Sequence, residues 1–229
     1  DESESSMLKK IINGRTDLVF EFVANGESPA TKDSDGVSLM QWCAYFGDVS
    51  ALRFLLAAGE QLESLGINND LNGASFHGHW QLCQFLIENG ADVLFPLPET
   101  AETPLHSAIC RPNNPSLHQV VEVLVKNGAN PNAKTISGIE TGSFMRDCRT
   151  KGETPLHRAA AFASEDVIDI LCEAGARLDL ADVNGDTALT WASWYGRPTK
   201  ILRKLCFGSH RVHAERKSMA DVLVGSPVY

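Results

Sequence analysis

Several things are scarce in this chain, and each scarcity closes off a class of function. There is no Gly-x-Ser-x-Gly elbow, no phosphate loop and no dinucleotide fingerprint, so local hydrolase, nucleotide and dehydrogenase signatures are missing. Gly138-Ile139-Glu140-Thr141-Gly142 is too short and polar to cradle a phosphate. The six cysteines (43, 83, 110, 148, 172 and 206) form no CxxC pair, which removes the usual zinc and redox frameworks. They read as mostly reduced core residues of a cytoplasmic protein. His77 with His79, and His210 with His213, have no Cys or acid at ligand spacing, so no metal is expected, and no motif calls for a cofactor. No apolar run approaches the roughly 18 residues that a membrane span needs. The opening Asp1-Glu2-Ser3-Glu4 lacks the pattern of a signal peptide. Basic residues are few, 20 Lys/Arg against 29 Asp/Glu, and the net charge of −9 argues against nucleic acid as a partner. Residues 197–217 hold seven Lys/Arg and one acid, which reads as a solvated cap, with contact to an acidic partner as the alternative.

What is present is a period. Thr154 and Thr187, Leu156 and Leu189, Ala159 and Ala192, Ile168 and Ile201, and Gly175 and Gly208 are each 33 residues apart. A fixed period of this length marks a solenoid of stacked units. Within one unit, Thr154 caps a helix and Pro155 sits in its first turn, where no N–H is needed. Ala159 and Ala160 keep that helix thin. Val167, Ile168 and Leu171 line a second helix, and Gly175 supplies the left-handed residue that ends it. Asn184-Gly185 makes a tight turn into the next copy. A single helix pair cannot bury its own apolar face, so copies must stack. Thr154-Pro155-Leu156-His157 with Ala159 and Ala160 closely resembles the ankyrin repeat. That resemblance implies an all-α solenoid of helix-turn-helix pairs with β-hairpin-like tips, acting as a scaffold for protein binding.

Glycines 26, 59, 90, 128, 175 and 208 set the register. The repeats are placed at about 3–32, 33–65, 66–98, 99–135, 149–181 and 182–208, with an inserted finger at 136–151 and a capping tail at 209–229. Full motifs occur at Thr103-Pro104-Leu105-His106 and at Thr154. Repeat two has Ser38-Leu39-Met40-Gln41 in that slot, and repeat three has Asn69-Asp70-Leu71-Asn72. The resemblance implies a structural role for His106 and His157, with the imidazole bonded to backbone and to the motif threonine.

The family also implies that two residues before the turn of each first helix face the concave groove. Those positions are Ile12-Asn13, Tyr45-Phe46, Phe76-His77, Cys110-Arg111, Ala161-Phe162 and Trp194-Tyr195. Six of the twelve are aromatic, in a chain that is 7% aromatic. Tyr45, Phe46, Phe76, His77, Phe162, Trp194 and Tyr195 are therefore candidate partner-binding residues, since interfaces favour rows of Tyr and Trp. Phe144 and Met145 on the finger join them, because a loop this long in a compact solenoid is often functional. Asp33, Asp35, Asp48, Asp182 and Asp186 nearby lead us to expect one protein or peptide with basic and apolar anchors, bound by a monomer. The competing reading is a redox-responsive or enzymatic protein using Cys148, whose cationic neighbours Arg146 and Arg149 can lower a thiol pKa.

Overall fold

The computed structural model describes residues 2–112, 116–141 and 149–208. Phe144, Met145 and Cys148, and the tail at 209–229, lie outside the described residues. Twelve α-helices occur among the described residues, and no strand is longer than a single bridge. They come in pairs. The first members are α1 (Glu2–Ile12), α3 (Leu39–Tyr45), α5 (Leu71–His77), α7 (Pro104–Ala108), α9 (Pro155–Phe162) and α11 (Ala188–Trp194). The second members are α2 (Val19–Ala24), α4 (Val49–Ala57), α6 (Trp80–Glu88), α8 (Leu117–Lys126), α10 (Glu165–Glu173) and α12 (Thr199–Leu205).

Two layers result. In one, α3 packs on α5, α5 on α7, α7 on α9 and α9 on α11. In the other, α2 packs on α4, α4 on α6, α6 on α8 and α8 on α10. One cluster of buried apolar side chains runs from Ile11 to Leu205. The fold is an all-α solenoid.

Local chemistry explains where helices start. The Ser38 Oγ accepts the Gln41 N–H at 3.2 Å, and the Gln41 side chain accepts the Ser38 N–H at 2.9 Å, a reciprocal cap for α3. Asp48 caps α4 through the Ala51 N–H at 2.9 Å. Ala159 and Ala160 are fully buried, which lets α9 and α11 approach closely. The Arg197 guanidinium closes the other end of α9 by donating to the carbonyls of Ala160 and Ala163.

The expected hairpin-like tips are present, each reduced to a single antiparallel bridge, Lys32 with Ser38 and Ala181 with Thr187. Backbone bonds close each turn, Asp33 N–H to the Val37 carbonyl at 2.9 Å and Asp182 N–H to the Asp186 carbonyl at 2.8 Å. Side chains reinforce them: the Asp33 carboxylate accepts the N–H groups of Asp35 and Val37, and Asp182 does the same for Asn184 and Asp186. One detail differs from the expectations drawn from the sequence. In repeat three the cap falls on Asp70, one residue later than Asn69. Asn68, Asn69 and Asp70 are all left-handed, at φ 52°, 52° and 57°, and Asp70 accepts the Gly73 N–H. Asn and Asp tolerate that region better than other residues.

Gly175 sits at φ 91°, with its N–H bonded to the Cys172 carbonyl and the Ala176 N–H to the Leu171 carbonyl. A Cβ there meets nothing within 4 Å, so the penalty for a side chain is backbone strain alone. Gly175→Val is expected to destabilise by more than about 1 kcal/mol in urea unfolding. A midpoint equal to that of the parent would contradict the left-handed assignment.

Candidate functional site

The turn chemistry places the exposed aromatics. Trp42 Nε1 donates to Asp33 at 2.8 Å, and Trp191 Nε1 donates to Asp182 at 3.1 Å. Each indole pins a first helix to its own tip turn, and the residues one helical turn further on then point outward. Tyr45 is 50% exposed, Phe46 36%, Trp194 79% and Tyr195 45%. Phe76 and His77 are half-buried. Phe162 is half-buried and packs on the core.

The aromatic positions gather into two patches rather than one unbroken row. In the first, Tyr45 meets Phe46 edge-on at 5.0 Å and His77 at 4.7 Å. Phe76 lies 5.1 Å from His77, and the Arg111 guanidinium covers Phe76 at 5.1 Å. The His79 ring lies over Gly47, where an added Cβ would come within 2.6 Å, and its Nε2 bonds the Tyr45 carbonyl at 2.8 Å. Burial, then the neighbouring His79 and Arg111, lower the His77 pKa, so the patch is uncharged there at neutral pH. The middle slots hold Cys110 and Ala161, both buried, which interrupts the row. The second patch is Trp194 and Tyr195, beside an open cleft of about 330 Å³ lined also by Arg149, Lys151, Glu153, Asp186 and Trp191.

Under that cleft lies a charge cluster that the sequence pattern did not disclose. Arg158, Glu102 and Glu153 are all fully buried. The Arg158 guanidinium reaches both carboxylates at 2.7 Å and donates to the His106 carbonyl at 3.1 Å. Glu102 also accepts the Thr141 hydroxyl at 2.9 Å. Glu153 accepts the Thr135 hydroxyl and the Lys151 N–H, each at 2.7 Å. Burial alone would raise the Glu153 pKa, but Arg158 and these N–H and O–H donors outweigh it and hold it at about 2. Thr141 and Lys151 belong to the two arms of the finger and Thr135 immediately precedes it, so the cluster fastens its base. Further bonds close that base: Gly138 N–H to the Thr150 carbonyl at 2.7 Å, Thr150 N–H to the Ile139 carbonyl at 2.9 Å, and a bridge between Glu140 and Arg149. The legible signal was a glutamate immediately before each Thr-Pro-Leu-His. Replacing Arg158 with Met leaves two buried carboxylates without a counter-charge. Arg158→Met is expected to remove about 3–5 kcal/mol of stability, read from urea unfolding.

The two motif histidines join repeats. His106 Nδ1 accepts the Thr103 N–H at 3.2 Å, and His157 Nδ1 accepts the Thr154 N–H at 3.1 Å. Each Nε2–H then donates to the next tip, His106 to the Glu153 carbonyl at 3.3 Å and His157 to the Asp186 carbonyl at 3.0 Å. A protonated ring would turn Nδ1 into a donor facing a donor. Burial, and then the Arg158 charge, push the His106 pKa down to about 3; burial lowers that of His157 as well. Cys43, Cys83 and Cys110 are pushed up to about 12 by burial, which makes them poor nucleophiles. No group of three or more possible metal ligands occurs among the described residues.

These shifts fix a sign. A histidine depressed from 6.5 to about 3 takes up its proton only in the unfolded chain between those values. Its stabilising effect is whole above pH 6.5 and is lost as pH falls towards 3, by up to about 1.4 kcal/mol per pH unit. Glu153 adds a loss in the same direction below about 4.5. Urea midpoints of the parent are expected to fall more steeply from pH 7 to pH 5 than those of His106→Gln, a variant that copies Gln41 of repeat two. Equal slopes would remove His106 as the cause.

Comparison with known proteins agrees with this architecture. The ankyrin-repeat family model matches residues 102–136, and a model of three ankyrin repeats matches residues 138–217. The putative palmitoyltransferase ZDHHC13 of Danio rerio is 27% identical over 88% of this chain and 34% of its own length. The human palmitoyltransferase ZDHHC13 is 27% identical over 84% of this chain and 34% of its own. The chain thus spans about a third of the length of these curated relatives. Human ankyrin repeat domain-containing protein 37 is 26% identical over 60% of this chain and 79% of its own. No helix among the described residues is long and apolar enough to cross a membrane. The tip turns, the histidine links between repeats and the family matches agree: this chain belongs to the ankyrin-repeat family, whose repeats are modules for binding other proteins.

Proposed function

We propose that the chain binds its partner protein along the exposed ends of the first helices, through Tyr45, Phe46, Phe76, His77, Trp194 and Tyr195. The observation that carries this is that the exposed aromatics Tyr45, Phe46, Trp194 and Tyr195 recur at one register position, the end of a first helix, whereas the other exposed large apolar side chains, Phe20, Ile67, Trp80, Leu94, Ile136 and Val183, lie elsewhere. Rigid stacking orders these side chains before contact, which lowers the entropy lost on binding. Phe162 contributes less, because it is already packed on the core. Phe144 and Met145 stay candidates from the sequence alone, since they lie outside the described residues.

The expected basic anchors find fewer acids than the sequence offers. Asp33, Asp48 and Asp182 are hydrogen-bonded within the chain, to Trp42, Thr16 and Trp191. Asp35 remains the tip acid for a basic anchor at repeat two. We read the chain as a monomeric binding unit without catalysis of its own. In a longer protein like the palmitoyltransferase relatives, such a unit would select the protein acted upon and leave transfer to other residues.

Tyr45→Ala and Trp194→Ala are each expected to weaken a purified partner at least roughly tenfold, with helicity unchanged by circular dichroism. If both bind like the parent while Phe20→Ala on the outer layer does not, the reading is wrong.

A further inference from the structure

We propose that the cleft beside α11 takes a partner segment carrying an acidic side chain next to a bulky apolar one. This deepens the groove reading and rests on it. The cleft, about 330 Å³, lies at the small end of ligand sites. Trp191, Trp194 and Tyr195 form its aromatic side, and Arg149 and Lys151 its cationic side. Trp194 is 79% exposed and has no ring or hydrogen-bond partner among the described residues.

Donors and acceptors in the cleft are unequally free. The Glu153 oxygens are occupied by Arg158, Thr135 and the Lys151 N–H. The Lys151 ammonium hangs 5.6 Å over the Trp191 ring and has no hydrogen bond or ion pair among the described residues. Arg149 donates to the Gly138 carbonyl at 3.2 Å and faces the exposed Glu140 at 3.6 Å, which leaves other guanidinium N–H groups open. Asp186 is the one lining residue with an uncommitted carboxylate among those described. A ligand here must therefore bring acceptors. A carboxylate fits between Lys151 and Arg149, its apolar neighbour covers Trp194 and Tyr195, and a peptide N–H of the same segment can meet Asp186.

The walls are set before binding. The Lys151 N–H is held by Glu153 at 2.7 Å and its carbonyl by the Val183 N–H at 2.9 Å. The Trp191 indole is held by Asp182. The chain as a whole carries a net charge of −9, which repels an acidic segment in general. In the basic stretch at 197–217 the described Lys200 and Lys204 are already paired with Glu165 and Asp169, so the two cations of this cleft favour docking here.

Selection of a random dodecapeptide display library on the whole chain tests this. Enriched peptides are expected to carry Asp or Glu close to Leu, Ile, Phe or Trp. Trp194→Ala should weaken them at least tenfold, and Arg149→Glu with Lys151→Glu should exchange the acid for Lys or Arg on reselection. The substituted side chains are exposed, so the fold should hold. If the double variant melts low, Lys151→Gln alone must still weaken the acidic peptides. Enrichment of basic peptides by the parent, an unchanged charge preference in the variant, or no enrichment overturns the proposal. Peptides lost with Tyr45→Ala but indifferent to Trp194→Ala overturn it while sparing the groove reading. Peptides indifferent to both overturn both. A change in tryptophan emission on deleting residues 142–148, without peptide, would give the cleft to the chain's own segment. Self-association abolished by Trp194→Ala would give it to a second copy. Either result also sinks the proposal.

Discussion

Everything near the second patch depends on one buried guanidinium. Arg158 stands between Glu102, which precedes the motif of repeat four, and Glu153, which precedes that of repeat five. Removing three charges from water is expensive, and attraction between them repays it only when the remaining lone pairs are satisfied. Here hydroxyls of Thr135 and Thr141 and the N–H of Lys151 meet that condition. Thr141 and Lys151 lie on the finger, and Thr135 immediately precedes it. The finger is consequently required by the core beneath it, and the cluster requires the finger. Hydrophobic residues of equal volume could fill the space, but they would not fix the direction in which Lys151 and Arg149 leave the stack.

The histidine links extend the same order along the molecule. Arg158 donates to the carbonyl of His106, whose ring donates to the carbonyl of Glu153. A positive charge on that ring would face Arg158 at close range in a dry interior, so the neutral ring is part of the cluster's stability. His157 repeats the link one unit later, to Asp186 at the cleft. One residue of the cleft wall is therefore tied to the stack by a backbone hydrogen bond and leaves its carboxylate free.

The repeat register and the helix types could be read from the sequence, because Thr154, Leu156, Ala159 and Gly175 recur with their counterparts at one spacing and each has a clear local role. The outward direction of Tyr45 and Trp194 was legible for the same reason. Side-chain partners were not. Asp33 and Asp182 look like surface acids, yet a turn folds each back onto its own indole. Phe162 occupies a groove slot by register but leans into the core. The cap of repeat three moved from Asn69 to Asp70 because three consecutive residues entered the left-handed region, which no period reveals. Arg158 is one cation in an alanine-rich helix, and its partners Glu102 and Glu153 become visible only when repeats four and five stack.

The two aromatic patches differ in how much a partner can gain from them. Tyr45, Phe46, Phe76 and His77 already touch one another, and Arg111 covers part of Phe76. Much of their apolar surface is withdrawn from water before any partner arrives. Trp194 has no such cover. Apolar burial is worth roughly 25 cal/mol per Å² of surface newly removed from water. The same area of partner therefore gains more over Trp194 than over the first patch. The rigid base supplied by the Arg158 cluster lies under this more rewarding end, where a partner side chain must fit between fixed walls. On the proposed reading, binding energy and geometric selectivity would both concentrate at α11, and the first patch would set the reach and direction of the segment that arrives there.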